Sequence, residues 1–143
     1  MERARRRRLL WAAGGAVVAL LLIAGAAVLV YRVWYGQSPP PPPREAGVVR
    51  LTNPNTGGVP PPEHRVVLAG GQTILLALGQ VDGSGESATA RLAIVVPPEP
   101  SRLVALRRGQ EVSVPGATIR VLDIYQEPDR AKDAVDVLVT AQG

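Results

Sequence analysis

The sequence predicts an all-β fold, a small sandwich or barrel-like domain of about seven short strands, preceded by one transmembrane helix and a proline-rich linker. Three observations support this prediction. Residues 9–30 form an uninterrupted apolar run, and residues 39–43 are five consecutive prolines. Beyond residue 64, short stretches rich in Val, Leu, Ile and Thr alternate with Gly, Pro and Asp, which is typical of strands separated by turns.

Composition and charge divide the chain into four predicted segments. They are a cytoplasmic basic tail at residues 1–8, a transmembrane helix with aromatic flanks at 9–35, a proline- and glycine-rich linker at 36–63, and an extracytoplasmic β domain at 64–143. The tail carries five arginines and one glutamate, whereas residues 36–143 hold ten basic and eleven acidic side chains. The isoelectric point of about 10.3 therefore reflects the tail, and the β domain is nearly neutral.

The apolar run is long enough to cross a bilayer. It covers twenty-two residues without a charged side chain. A helix of that length rises about 33 Å, and the hydrocarbon core of a bilayer is about 30 Å thick. Because no ionisable group lies inside the run, the sequence argues against a proton relay, a gate or a transport pathway in this segment.

Side chains typical of a membrane interface flank the run at both ends. The predicted set is Arg5, Arg6, Arg7, Arg8, Trp11, Tyr31, Arg32, Trp34 and Tyr35. Five arginines before the run outweigh Arg32 after it, so the positive-inside rule places the N-terminus in the cytoplasm and the C-terminal domain outside. The lipid bilayer is thus the first predicted partner, with anionic headgroups attracting the basic tail by about 1 kcal/mol per side chain.

A cleavable signal peptide is the main alternative to an uncleaved signal anchor. Ala24, Gly25 and Ala26 would form a small-x-small cleavage site. The apolar core continues through Val30, and an aromatic cluster follows, which favours the anchor. Residues 6–10 have a twin-arginine look that any arginine-saturated start would produce. The sequence contains no cysteine, which excludes lipoprotein anchoring and structural disulfides.

The proline run predicts a spacer between the membrane and the domain. In the polyproline II conformation, five residues extend about 15 Å and remain semi-rigid. A second proline and glycine cluster at residues 53–62 lacks the apolar side chains of a core. The apolar residues 48–51 between the two clusters are either a first strand or an ordered patch of linker. A proline ligand for an aromatic-grooved partner is the alternative function of this segment.

Seven strands are predicted, at residues 65–69, 73–80, 88–96, 102–106, 111–114, 117–125 and 134–140. Pro115 and Gly116 suit the two central positions of a type II turn between two of these strands. Within residues 118–126 the alternation of apolar side chains changes phase, which indicates either a β-bulge or a strand buried on both faces.

The β domain lacks the residues that common sites require. It has no Phe or Trp and only Tyr125, so its core must be aliphatic, and a carbohydrate platform is not expected. Nucleic-acid binding is not expected either, because no aromatic and basic side chains alternate on one surface. We expect no cofactor and no small-molecule substrate.

Catalytic and metal sites have equally little support. His64 is the only histidine and lies at the edge of the proline-rich segment, and Ser84 lacks the GxSxG spacing of a nucleophile elbow. One histidine without cysteine argues against zinc or iron. Acidic residues at 123–136 are candidate calcium ligands, but Arg130 and Lys132 interrupt them. The sequence therefore predicts no enzyme.

The predicted function is presentation of the extracytoplasmic β domain for protein–protein interaction or scaffolding in the cell envelope. The partner would be another envelope or membrane protein, engaged by sheet edges and loops, including by strand addition. The alternative is an accessory subunit of a larger membrane or secretion complex. In that case the helix would assemble through its small residues, Ala12, Gly15, Ala19 and Ala26. A cleaved secreted protein and an enzyme are the less favoured alternatives.

Overall fold

A computed structural model describes residues 2–54 and 59–143, with side chains described from residue 13 onward. Two compact units make up the chain, Met1–Gln37 and Ser38–Gly143. Residues 55–58, in the middle of the second proline and glycine cluster, lie outside the described residues, as do the side chains of residues 1–12.

The first unit is a single helix, α1, over Glu2–Tyr35. Its apolar side chains point in every direction, and Leu20, Leu21 and Leu22 are each at least 66% exposed within the fold. A helix that is apolar on all sides needs an apolar surrounding. Among the described residues, α1 alone is long and apolar enough to cross a membrane.

The helix ends where a glycine becomes necessary. The Gly36 N–H donates to the Arg32 carbonyl oxygen at 2.8 Å. A Cβ at position 36 would collide with that same oxygen. Glycine therefore closes α1 directly after its aromatic end.

The second unit is built from eight antiparallel strands within residues 38–54 and 59–143. These are β1 Val48–Thr52, β2 His64–Val67, β3 Thr73–Asp82, β4 Thr89–Val95, β5 Arg102–Arg107, β6 Glu111–Val114, β7 Ala117–Tyr125 and β8 Ala134–Ala141. Sheet 1 has the order β1-β8-β7-β6, and sheet 2 has the order β2-β3-β4-β5. Two short 3-10 helices, Gly85–Ser87 and Arg130–Lys132, lie between strands.

The two sheets enclose one aliphatic core. Each strand points alternate side chains inward, and the two inner faces meet in a single buried cluster. Among the described residues, the buried hydrophobic side chains are all Leu, Ile, Val or Ala; the largest that are fully buried are Leu51, Ile74, Leu76, Leu78, Leu92, Ile94, Ile119, Val121, Val135 and Val137. Of the two predicted architectures, the structure is a sandwich.

All seven predicted strands are present, with ends shifted by at most two residues. The eighth is β1, so residues 48–51 belong to a strand and not to an ordered patch of linker. It pairs along its whole length with β8, and the paired residues Arg50 and Asp136 are 86 positions apart in the sequence. The sandwich therefore begins inside the segment whose composition predicts a linker.

Two local irregularities shape the strands. The β7–β8 register shifts between Val121 and Asp123, which confirms the bulge among the two explanations for the phase change. A second register shift lies in β3, between Leu78 and Gln80. Gly116 has φ of +79°, as the third position of a type II turn after proline requires, and the turn joins β6 to β7 as predicted.

Candidate functional site

The aromatic end of α1 carries four of the predicted interface residues. Tyr31 and Trp34 are 62% and 58% exposed, and the rings of Tyr31 and Tyr35 stack with centroids 4.5 Å apart. Arg32 lies in the same last turn. The side chains of Arg5, Arg6, Arg7, Arg8 and Trp11 lie outside the described residues.

The structure places the residues that the sequence offers for catalysis or metal binding as follows. His64 is half-buried in β2, opposite Leu76 on β3. The Ser84 carbonyl oxygen accepts from the hydroxyl of Ser87 at 2.8 Å, within a 3-10 turn. In the part of the chain that the structure describes, no group of three His, Asp or Glu residues is arranged to hold a metal ion.

A buried ion pair organises the outer face of sheet 1. Arg50 on β1 and Asp136 on β8 are ladder neighbours, joined by Nε–Oδ1 and Nη2–Oδ2 contacts of 2.7 Å each. Asp136 is fully buried although it points away from the core. The Arg50 guanidinium also lies 4.9 Å from the centroid of the Tyr125 ring and donates to the carbonyl oxygen of Pro40.

The electrostatics of this cluster favour a charged arginine and a neutral tyrosine. The hydrogen bond from Arg50 to Asp136 raises the pKa of Arg50 further above its ordinary value. Burial raises the pKa of Tyr125, and the negative charges of Asp123 and Asp136 add to that effect. Arg50 therefore stays charged and Tyr125 stays neutral across the physiological pH range, and the contacts of Arg50 join β1 to β8 and to Pro40 of the proline segment.

A polar cleft of about 360 Å³ lies where the sandwich ends near β3 and the β7–β8 connection. The Asn53 side chain donates to the Gly79 carbonyl oxygen at 2.6 Å. Asp133 accepts from the Glu127 backbone N–H at 2.8 Å and from Arg130 at 3.2 Å, and burial raises its pKa. The Asn53 bond joins the end of β1 to β3, whereas the bonds of Asp133 stay within the β7–β8 connection.

One end of the outer face of sheet 2 carries several aliphatic side chains, with the exposed Arg65 of β2 next to Leu75 and with Ala77 only 5% exposed. There, ladder neighbours place Ala77, Ala93 and Leu103 in one row, with Leu75 opposite Val95 in the next row. Leu103 is 80% exposed, and Val67 on β2 is 62% exposed. We call this surface the aliphatic patch, defined by Val67, Leu75, Ala77, Ala93, Val95 and Leu103.

The patch contains a shallow depression. Its volume is about 120 Å³, and its floor is made by the patch residues of β3 and β4. Glu63 and Ser101 lie at its rim. In a two-layer sandwich the outer faces normally point polar side chains to water, so an aliphatic depression on that side is the feature that needs an explanation.

The sequence contained a signal for this patch. Residues 74–78 and 92–96 are continuous apolar runs, with side chains on both faces of their strands that avoid water. Alternation along a strand indicates which face is suited to a core but not what lies against the other face. Only the sheet order shows that the second faces of β3 and β4 lie side by side on the outside.

Strand β5 borders the patch and ends sheet 2. Arg102 begins the strand, Arg107 ends it, and Arg108 follows. Arg108 lies 3.4 Å from Asp123, whereas Arg102 reaches only the Ser113 carbonyl oxygen at 3.5 Å. Across residues 13–54 and 59–143, neither Arg102 nor Arg107 forms an ion pair with a carboxylate.

Comparison with known proteins adds no further constraint. No protein-family model, no curated protein and no solved structure matches this chain.

Proposed function

We propose that this protein is a single-pass membrane protein whose β sandwich binds another protein of the cell envelope through the outer face of sheet 2. The observation that carries the proposal is the aliphatic patch, which runs from Leu103 on β5, 80% exposed, to Val67 on β2, 62% exposed, across half-buried side chains of β3 and β4. Contiguous apolar patches on the surface of a monomer typically mark contact surfaces, because each one loses free energy by remaining in water.

The chemistry of the patch supports binding rather than catalysis. Its side chains are aliphatic, and its rim contributes Glu63 and Ser101 without a histidine. A surface of this kind gains affinity by excluding water and by shape complementarity. It offers a small polar substrate almost no hydrogen bonds.

The proposed anchor is α1, with its N-terminus in the cytoplasm. Support comes from the exposed Leu and Val side chains around the helix and from the aromatic rings at its C-terminal end. The orientation rests on the arginine excess before the span. On this proposal the β sandwich is extracytoplasmic and remains attached to the membrane.

The test is site-specific photocrosslinking in cells that express the full chain. A photoreactive side chain at Leu103 or Val67 should capture one protein repeatedly. The same group at Thr140, which is exposed on the outer face of sheet 1, is the matched control and should capture far less. Equal capture from both faces, or none from Leu103, would refute a role for the patch.

One further variant distinguishes the second candidate function from the first. In the second, the protein is an accessory subunit that assembles through its helix. Replacing residues 9–35 with an unrelated transmembrane helix should leave the Leu103 crosslink unchanged if the sandwich holds the partner. Loss of the crosslink after this exchange would favour assembly through α1, whose glycines at 14, 15 and 25 leave room for a close helix contact.

A further inference from the structure

We infer that β5 accepts an extended segment of the partner protein, apolar in its centre and acidic at both ends, as a fifth strand of sheet 2. This inference rests on the proposed function and specifies how the partner binds.

An added strand needs a sheet edge that is open to pairing. Sheet 2 ends in β2, with four residues, and β5, with six, while sheet 1 ends in β1, with five, and β6, with four.

Strand length favours β5, because each added residue pair contributes backbone hydrogen bonds. Edge β1 is also encumbered, since Arg50 ties it to Pro40 of the proline segment. Edge β2 directly follows the prolines at residues 60–62, which cannot donate to a ladder. The longest edge is therefore β5. At its last residue the Arg107 backbone N–H already donates to the Gln110 side chain at 2.8 Å, so an added strand would pair with the residues before Arg107.

The side chains of β5 define the centre of the incoming segment. Leu103 points outward and continues the row of Ala93 and Ala77, so an added strand would extend the aliphatic patch by one row. Val104 points to the core side and is only half-buried. Apolar side chains on the partner would cover Leu103 on one face and Val104 on the other, which predicts an apolar centre.

The arginines define the ends of the segment. Four lie at or next to β5, and two of them have carboxylate partners: Arg91 lies 2.6 Å from Asp82, and Arg108 lies 3.4 Å from Asp123. Within the described part of the chain, Arg102 and Arg107 have no such partner. Two uncompensated positive charges at opposite ends of one strand are complementary to a segment with acidic flanks.

A second copy of this chain does not satisfy that requirement. Pairing β5 with β5 would place two sets of Arg102, Arg107 and Arg108 along a seam of about 20 Å. Like charges at that spacing repel each other and would oppose the contact. An anionic bilayer would attract the arginines, but the patch lacks the Trp and Tyr rings that anchor domains at lipid headgroups. A protein segment is therefore the occupant that fits both the apolar and the charged features.

The test uses the full chain in nanodiscs of uncharged lipid and a fluorescent ten-residue peptide. The peptide alternates Val and Thr in its centre and carries two carboxylate residues at each end. Two control peptides replace the acidic ends with lysines or methylate alternate backbone nitrogens. We expect both controls to bind about tenfold more weakly, because one loses the ion pairs and the other loses the ladder.

A charge reversal on the protein makes the test independent of the peptide design. The variant R102E/R107E should prefer the lysine-ended peptide, since both replaced side chains are exposed. The matched control R65E, on the opposite edge of sheet 2, should retain the original preference. A preference that R102E/R107E does not change, or that R65E changes equally, would overturn the inference.

Amide hydrogen exchange locates the binding and separates this inference from the proposed function. Peptide binding should protect backbone amides within residues 102–107. Protection confined to β1 or β2, dimerisation of the protein without peptide, or binding to anionic vesicles in place of the peptide would each contradict strand addition at β5. Crosslinking from Leu103 to a partner without any protection in β5 would leave the proposed function standing and refute this inference alone.

Discussion

The outer faces of the two sheets differ although both sheets close the same core. On sheet 1 the outward side chains include two ion pairs, Arg50–Asp136 at 2.7 Å and Arg120–Glu111 at 3.8 Å. On one end of sheet 2 they are aliphatic, with Leu103 80% exposed. The polar groups of sheet 1 bind one another within the chain, whereas Leu103 and Val67 at the edges of sheet 2 are exposed. The comparison therefore separates a face that stabilises the fold from the face that we propose for binding.

The largest expected effect is on sheet 1, where Asp136→Ala would leave Arg50 without its buried counter-ion. We expect the free energy of unfolding to fall by about 3 kcal/mol. Urea unfolding of the full chain in detergent micelles measures this loss. Proteolysis of the β strands reports the unfolded fraction at each urea concentration. The double variant Arg50→Met with Asp136→Leu should regain most of it. If the double variant were as unstable as the single one, the pair would not be the origin of the effect.

The second effect is on sheet 2 and concerns binding rather than stability. Leu103→Asp should weaken partner binding at least about tenfold, because a charge would be buried at the centre of the contact. The free energy of unfolding should change by less than about 0.5 kcal/mol, since the side chain is 80% exposed. Thr140→Asp on sheet 1, at an exposed position, is the control and should affect neither quantity. A large loss of stability in Leu103→Asp would mean that the outer face of sheet 2 also stabilises the fold.

A third, smaller effect concerns the buried carboxylate of Asp133 and the dependence of stability on pH. Burial raises the pKa of Asp133 above its ordinary value, despite the Glu127 backbone N–H and Arg130. The folded protein thus holds this proton more tightly than the unfolded chain does. The contribution of Asp133 to stability is greatest below the ordinary pKa of an aspartate and falls as the pH rises through the folded pKa.

Asp133→Asn removes this titration. The stability of the variant minus that of the wild type should therefore increase as the pH rises through the same interval. Unfolding curves of the two proteins between about pH 3 and pH 7 would show it. A difference that stays constant with pH would mean that the charge of Asp133 costs the fold nothing.

The smallest effect is expected at Arg120, whose partner Glu111 is as exposed as the arginine itself. The side chains are 54% and 58% exposed and 3.8 Å apart. Arg120→Ala should lower the free energy of unfolding by less than about 0.5 kcal/mol. The same unfolding experiment compares it with Asp136→Ala on the same face. Similar losses in the two variants would show that burial does not distinguish the two ion pairs.

Local features of the fold followed from the sequence because local geometry produces them. Alternating apolar residues located seven strands, Pro115 and Gly116 located a turn, and the phase change within residues 118–126 located a bulge. The same patterns could not decide whether residues 48–51 form a strand. Their pairing partner, residues 134–138, lies at the other end of the domain.

The candidate site was less accessible to sequence reasoning. Arg50 and Asp136 are 86 positions apart, and no periodicity joins them. The aliphatic patch requires β2, β3, β4 and β5 to be neighbours in that order, which side-chain patterns do not specify. The sequence shows the arginines around β5, at positions 102, 107 and 108. Only the position of β5 at a sheet edge would make their charges available to a partner.

The sequence by itself determined that an apolar helix precedes a set of short strands, and it determined where most strands and one tight turn lie. These properties depend on neighbouring residues, through side-chain periodicity and backbone preference. The choice between a bulge and a strand buried on both faces within residues 118–126 was made by the register of β7 and β8. Only the tertiary structure decided which apolar side chains enter the core and which remain outside on sheet 2. That decision depends on pairing between distant strands, because one sheet covers a single face of the other and leaves the opposite face to water or to a partner.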